Sequence, residues 1–196
     1  IVAFALTGYS TVLLWRNMPS RCIGAIEPNL ALMYHRNVKV IDIFSARVLL
    51  EAMGATISFV TLSLFYIYIG WLSPPQDVLT VIAGWLLTAW FGASLAMLLG
   101  ALAEKTEIVE RLWHPAAYLL FPLSGAVFLV DALPAAAQKY VLYIPMVSGV
   151  EMVREGYFGD QVTTHYDAPY LAGFCVVLTL LALIKVSEVN HGVTPE

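Results

Sequence analysis

Charged side chains are scarce in this sequence. Asp, Glu, Lys and Arg make up 12% of the residues, about half the share in a soluble globular domain, and hydrophobic residues make up 60%. A soluble domain of this length needs more polar surface than so few polar residues supply, so lipid is the solvent that suits the chain. The ten basic residues are scattered and the net charge is −4, which argues against a nucleic-acid partner.

Metal-binding and catalytic motifs are also lacking. The two cysteines, Cys22 and Cys175, lie in different segments, and the four histidines fall in four separate regions: His35, His114, His165 and His191. We therefore expect no metal site and no cofactor in this chain. The motifs GxxxxGK[ST], HExxH and GxSxG are absent, so we predict neither ATP hydrolysis nor catalytic residues here.

Long apolar runs are what the sequence has instead. Those at residues 48–72, 78–103, 113–130 and 170–186 are near the length of about 17–25 residues that crosses a bilayer as a helix. They are continuous rather than alternating, which favours helices over a barrel. The run at residues 1–15 is short, and we interpret it as a partial span whose upstream stretch is missing. The prediction is a single all-α transmembrane domain, residues 1–196.

Two connecting segments are too elaborate to be plain loops. Residues 17–45 mix apolar and charged side chains, and Asn29 is a suitable cap for a short helix there. Residues 131–169 are too polar for a span and too apolar for a solvated loop, and Pro145 and Gly149 interrupt them. Two short re-entrant helices before the last span explain both features, because non-helical backbone at membrane depth must be surrounded by protein or water.

The distribution of basic residues predicts an orientation. When the segments between spans are assigned to alternating sides, eight Lys and Arg residues fall on one side and two, Lys139 and Arg154, on the other. The side rich in basic residues is expected to face the cytoplasm. Residues 17–45 and the C-terminus are therefore predicted inside, and residues 131–169 outside.

The spans carry few ionisable residues, which argues against a proton- or sodium-driven carrier. Glu51 is the one acid inside a predicted span, and Arg47 lies four residues before it, within reach of an ion pair. That pair is either structural or a functional element at the cytoplasmic entrance. A transporter without ion-coupling residues needs energy from elsewhere, and residues 17–45 are where a soluble motor could act.

A second charge pair is predicted in the outer segment. Glu151 and Arg154 are three residues apart, share a helix face and are expected to pair, and Gly156 is expected to end their helix. The pair either pins this helix at the lipid headgroups or shapes the outer exit of a pathway. On this view, exchanging the two charges should restore part of the activity that single alanine variants lose.

The chain resembles the capsular polysaccharide export permeases of the ABC-2 type. The resemblance rests first on the inner segment: residues 21–29, 34–39, 41–42 and 46–51. In the outer segment it rests on the following residues: Phe121, Pro122, Ser124, Gly125, Leu133, Pro134, Pro145, Glu151, Arg154 and Tyr157. The family pattern has Asn-Pro where this chain has Ile144-Pro145.

This resemblance implies a six-helix permease, of which the first helix and a preceding amphipathic helix are lacking here. It implies a homodimer that pairs with two nucleotide-binding subunits, which would hold ATP and magnesium. It further implies a lipid-linked polysaccharide as cargo, the bacterial inner membrane as location, and periplasmic export components as further partners. Capsule is favoured over O-antigen; a permease for another lipid or drug, a membrane scaffold and a membrane-embedded enzyme are the alternatives.

Besides the entrance pair of Arg47 and Glu51, three groups of residues are candidates for function. Coupling to the ATPase subunit is assigned to Glu27, Asn29, Leu30, Tyr34, Arg36 and Lys39. The outer gate is assigned to Pro145, Glu151, Arg154 and Tyr157. Stacking against sugar rings, which aromatic side chains do well, is assigned to Trp85, Trp90, Tyr66 and Tyr118.

Overall fold

The protein is helical, as predicted. A computed structural model describes residues 2–36 and 38–193, apart from the side chains of residues 35, 36 and 191–193. Its α-helices are α1 (Val2–Cys22), α2 (Leu30–Arg36), α3 (Val40–Tyr68), α4 (Val78–Ala103), α5 (Glu107–Leu123), α6 (Ala135–Val141), α7 (Pro145–Phe158) and α8 (Ala168–Val193). The described residues contain no β-strand.

Three of these helices are long and apolar enough to cross a membrane: Val40–Tyr68, Val78–Ala103 and Ala168–Asn190. The break between α3 and α4 begins at Gly70, whose φ of +78° leads the chain out of α3, and Pro74 and Pro75 lie in the non-helical connection that follows. Asp77 then starts α4, since its carboxylate accepts the backbone N–H of Leu79 at 2.9 Å. The sequence therefore sets both ends of this hairpin locally.

Helix α1 is longer than the sequence suggested. It continues for seven residues past the predicted end at residue 15 and includes Arg16, Asn17 and Pro19. Residues 17–22 therefore belong to a helix of the bundle and not to a loop. Close packing on α4 holds this extension: a Cβ added at Gly92 would lie 2.8 Å from the Trp15 Cα, and one at Gly100 would lie 2.9 Å from the Cys22 Cβ.

Contacts between the helices give their relative directions. Helix α1 runs parallel to α4, because Trp15 lies beside Gly92 and Cys22 beside Gly100. Helix α8 is also parallel to α4, since Thr179 lies beside Ser94 and Glu188 pairs with Lys105. Helices α3, α5 and α7 run the other way. Residues 23–39, 104–106 and the end of α8 thus meet at one end of the bundle, which we call the basic end because Arg21, Lys39, Lys105 and Lys185 gather there.

Helix α5 differs most from its prediction. A span was expected over residues 113–130, but the helix runs from Glu107 to Leu123. Pro122 removes a backbone donor near its end, and Gly125 adopts a left-handed conformation with φ of +81°. Tyr9 of α1 contacts Phe121, so α5 stops well inside the bundle. The backbone after it lies at depth without helical hydrogen bonds.

The two short helices predicted before the last span are present as α6 and α7. Helix α7 lies antiparallel to the first half of α4, with Gly156 beside Asp77 and Gly149 beside Thr88. Gly149 and Gly156 are seven residues apart in α7, so this contact with α4 extends over about 10 Å. The prediction that Gly156 ends α7 is wrong. Gly156 lets α4 approach, and the helix continues to Phe158; Gly159, whose φ is +52°, follows it.

Candidate functional site

A groove of about 680 Å³ runs along α1 on the side that faces α3. Most of its walls are apolar, but several polar side chains lie along it: Tyr9, Ser10, Asn17, Glu51, Ser58 and Tyr66. On the other side of Asn17, a smaller cavity of about 140 Å³ separates α1 from α5. Helix α1 thus presents polar residues both to α3 and to α5.

Glu51 lies in this groove, but its ion-pair partner is not the predicted one. The Glu51 carboxylate pairs with Arg21 of α1, at 2.6 Å from Nε to Oε1. Within the described residues no ion pair joins it to Arg47. The reason is tertiary: α1 crosses the start of α3 and brings its last turn to Glu51, which the local i−4 spacing of Arg47 could not indicate.

Tyr66 and Tyr118, two of the four aromatic candidates, face these openings. Tyr66 lines the larger groove, and its ring stacks on Trp71 with centroids 6.1 Å apart. Tyr118 lines the smaller cavity, is 72% exposed, and has the guanidinium of Arg16 5.8 Å from its ring centroid. Both rings keep surface available to a ligand.

The two tryptophan candidates lie elsewhere. Trp85 is buried, stacks on Phe59 at 4.6 Å and donates its indole N–H to Thr56 at 2.9 Å. It borders a separate apolar groove between α3 and α4. Trp90 donates to Thr179 of α8 at 3.0 Å. Neither lies in the groove along α1, so the structure does not bring the four aromatic candidates together.

The side chain of Arg154 lies in the bundle interior, beside the point where α5 ends. This side chain is 0% exposed. Nη1 donates to the carbonyls of Gly125 at 2.7 Å and Phe128 at 2.6 Å, and Nη2 donates to that of Ala126 at 2.7 Å. These are backbone acceptors that the end of α5 leaves without helical partners. Since unsatisfied backbone inside a membrane is costly, one guanidinium stabilises the whole non-helical turn.

Glu151 extends this cluster across the outer segment. Its Oε1 lies 3.4 Å from Arg154 Nη1, and it is also 0% exposed. Its other oxygen accepts the backbone N–H of His165 at 3.2 Å, and the His165 ring lies 3.1 Å from Asp131. The sequence suggested a pair at the headgroup boundary; the structure places it in the interior. There it joins α7 to the turn after α5 and to the segment before α8.

The remaining gate candidates border the same cluster. Pro145 is the first residue of α7, where its missing N–H costs no hydrogen bond. Tyr157 is buried at the other end of α7 and donates its hydroxyl to the Ser73 carbonyl at 3.1 Å. Helix α7 is thereby attached at its C-terminal end to the hairpin between α3 and α4.

The coupling candidates gather at the basic end. Glu27, Tyr34 and Lys39 are exposed, Leu30 is 42% exposed, and Tyr34 is 74% exposed. Asn29 donates its side-chain amide to the Ala25 carbonyl at 2.7 Å and so stabilises the turn that leads into α2. The Arg36 side chain lies outside the described part of the chain. Helix α2 therefore presents large apolar side chains to its surroundings.

Comparison with known proteins places the chain in a family. Residues 5–158 match the family model of the ABC-2 type transporters. The chain belongs to the ABC-2 type transporter family. The capsule polysaccharide export inner-membrane protein CtrC of Neisseria meningitidis serogroup A is 44% identical over 197 residues, and BexB of Haemophilus influenzae, which has the same description, is 39% identical over 196. Each alignment covers the whole chain and 74% of the relative.

A more distant relative has a related description. The polysialic acid transport protein KpsM of Escherichia coli is 24% identical over 180 residues, which cover 92% of this chain and 70% of that protein.

Sequence reasoning missed several residues of this ABC-2 transporter chain. Arg16 was counted with the cytoplasmic segment after a partial span that ended at residue 15, whereas it lies within α1. Arg21 was missed as the partner of Glu51, and Asp131 and His165 as neighbours of the Arg154 cluster. The last two had no local signal, because residues 131 and 165 lie far from Arg154 in the sequence and only folding brings them close.

Proposed function

We propose that this chain is the membrane-spanning subunit of an ATP-driven exporter that carries a lipid-linked cell-surface polysaccharide, capsule first, across the bacterial inner membrane. The observation that carries the proposal is the similarity along the whole chain to capsule export inner-membrane proteins. The family supports an ATPase partner for the transport step. Two copies of the permease with two such subunits, which hold the ATP and magnesium, form the exporter.

The structure suggests how the parts of this exporter divide the work. The groove along α1 offers hydroxyl, amide and tyrosine groups over much of its length, which suits passing sugars better than an apolar channel would. Tyr66 and Tyr118 supply the stacking surfaces. Helix α2 receives motion from the ATPase at the cytoplasmic, basic end, because its exposed apolar residues suit a helix that docks in a partner's groove.

Helix α7 and the turn after α5 act as the outer gate, next to any periplasmic export components. Arg154 holds the turn at Gly125–Phe128 and α7 as one body. A gate of this kind moves as a unit when α4 or α5 shifts, because the packed cluster has no continuous way to deform.

The test is removal of the chain from a capsulated bacterium, followed by complementation. Loss of surface polysaccharide with accumulation of lipid-linked polymer inside the cell is expected, and the intact chain should restore export. Complementation by a variant with Glu151 and Arg154 both replaced should fail at equal membrane levels. Normal surface polysaccharide after removal would refute the proposal.

A further inference from the structure

Arg16 is a charged residue at mid-height of the helix bundle. The Trp15 backbone packs against Gly92, which lies fourteen residues after Val78 and eleven before Ala103, the ends of α4. At the rise of an α-helix, Arg16 is about 16 Å from the nearer end of α4. Tyr118, beneath the guanidinium, lies a similar distance from the start of α5. The charge therefore lies well inside the bundle and not at its basic end.

No acidic side chain among the described residues forms an ion pair with Arg16, and the contact that defines its position is the one with the Tyr118 ring. Glu51 of α3 is already paired with Arg21, and Glu107 of α5 is paired with Arg111. An arginine at this depth is costly toward lipid, so this face of α1 and α5 is covered by protein or lines a water-filled space.

The groups around Arg16 have the chemistry of an anion site. The cavity of about 140 Å³ is lined by Arg16, Asn17, Ser20, His114, Ala117 and Tyr118. Apart from alanine, each of these side chains can donate a hydrogen bond. The wall is fixed, because Trp113 is buried and donates its indole N–H to Ser20 at 3.0 Å. The guanidinium fork matches the paired oxygens of a phosphate or a carboxylate.

We propose that Arg16, Asn17, His114 and Tyr118 form a subsite that binds an oxyanion of the cargo, a phosphate or a carboxylate, while it crosses the middle of the membrane. The inference rests on the proposed export function. A phosphate or carboxylate at this depth belongs to a molecule in transit, since the headgroups of resting lipids lie at the surface. The positive charge and hydrogen-bond donors of the site stabilise this anionic group, which hydrocarbon could not do.

The first test measures binding without transport. The full chain is purified in dodecyl maltoside, an uncharged detergent, and titrated with glucose 1-phosphate, glucuronate and glucose. Binding of at least one anion but not of glucose is expected, and the anion that binds more tightly identifies the group. Arg16→Gln should weaken that binding at least tenfold and Arg16→Lys less, since lysine keeps the charge but loses the fork.

Two further variants make the binding test specific. Arg111→Gln removes an exposed arginine that pairs with Glu107 on the same helix, and it should leave binding unchanged. His114→Gln changes an exposed wall residue with little risk to folding, and it should weaken binding a few-fold. Absence of anion binding in the unaltered chain, equal binding of glucose, or full binding by Arg16→Gln would overturn the proposal.

The second test links the subsite to export. At equal membrane levels, Arg16→Gln should reduce surface polysaccharide at least fivefold, while Arg111→Gln should not. Anion binding at Arg16 with undiminished export by Arg16→Gln would refute a role with the cargo. This outcome differs from failure of the export function, in which removal of the whole chain leaves surface polysaccharide normal.

Discussion

At the scale of single residues, Arg154 joins more of the outer segment than any other described side chain. It holds three carbonyls, a carboxylate and, 3.9 Å from its Cζ, the ring of Phe4. A buried charge surrounded in this way does not destabilise the fold as long as its hydrogen-bond and ion-pair partners remain. The same geometry explains why Gly8 lies beside it: a Cβ there would lie 2.5 Å from the Ala126 carbonyl oxygen.

We predict that Arg154→Met lowers the free energy of unfolding by about 3–5 kcal/mol, as loss of one member of a buried charged cluster does. Export should fall with it, because the turn after α5 loses its donors. Glu151→Gln should be milder, since the three carbonyl bonds of Arg154 remain. Thermal unfolding in detergent and surface polysaccharide at equal permease levels measure both effects.

The charge exchange gives a sharper test of the same cluster. If Glu151 and Arg154 were only an ion pair, the double variant Glu151→Arg, Arg154→Glu would recover activity. Three backbone carbonyl oxygens face position 154 and accept hydrogen bonds from the arginine. A carboxylate at this position would repel these oxygens. We expect no recovery. Export restored by the exchange would mean that the carbonyl contacts contribute little.

At the scale of helices, α7 is fixed to α4 by the close approach of their backbones. The Asp77 N–H donates to the Gly156 carbonyl at 2.8 Å, and a Cβ at Gly156 would lie 2.5 Å from the Val81 nitrogen and 2.7 Å from the Asp77 oxygen. The obstacle is backbone, which cannot swing aside as a side chain can.

We therefore predict that Gly156→Ala separates α7 from α4 and destabilises the chain by about 1–3 kcal/mol, the usual effect of overpacking. The matched control is Gly173→Ala in α8, where a Cβ meets nothing within 4 Å. That variant should be neutral or slightly stabilising, because alanine favours a helix interior by roughly 0.5–1 kcal/mol over glycine. Equal unfolding temperatures of the two variants would contradict this prediction.

Helix α2 gives a prediction about coupling. Tyr34 is exposed at the basic end, and Tyr140 is similarly exposed in α6. Tyr34→Ala should reduce polysaccharide exported per ATP hydrolysed and weaken retention of the ATPase subunit on purification, whereas Tyr140→Ala should leave both unchanged. Tight retention and normal coupling in the Tyr34 variant would exclude α2 as the docking element.

At the scale of the whole molecule, the helix directions place Glu107 and the end of α8 at one end of the bundle and Asp160 at the other. The basic residues at the first end predict that it faces the cytoplasm. A cysteine at position 160 should react with an impermeant reagent in intact cells, and one at position 107 only after lysis. Cys22 and Cys175 are buried, so the background should be low. The reverse labelling pattern would invert the proposed orientation.

Much of this protein follows from local sequence. Continuous apolar runs, with proline breaks and Asp77 as a cap, determine the helical class and the α3–α4 hairpin, because helix formation and membrane partitioning depend on neighbouring residues. The pattern of residues 21–51 was enough to indicate the family. Glu151 and Arg154 could be paired from their spacing alone.

Other features needed the tertiary structure. Three features depend on contacts between helices that are distant in sequence. Glu51 pairs with Arg21 instead of Arg47, Arg154 is buried among the carbonyls after α5, and Arg16 lies at mid-height of the bundle. Such contacts depend on how the side chains of α1, α4 and α7 pack, and on how closely the helices approach at their glycines. No short stretch of sequence contains that information, because each of these contacts involves residues of two different helices.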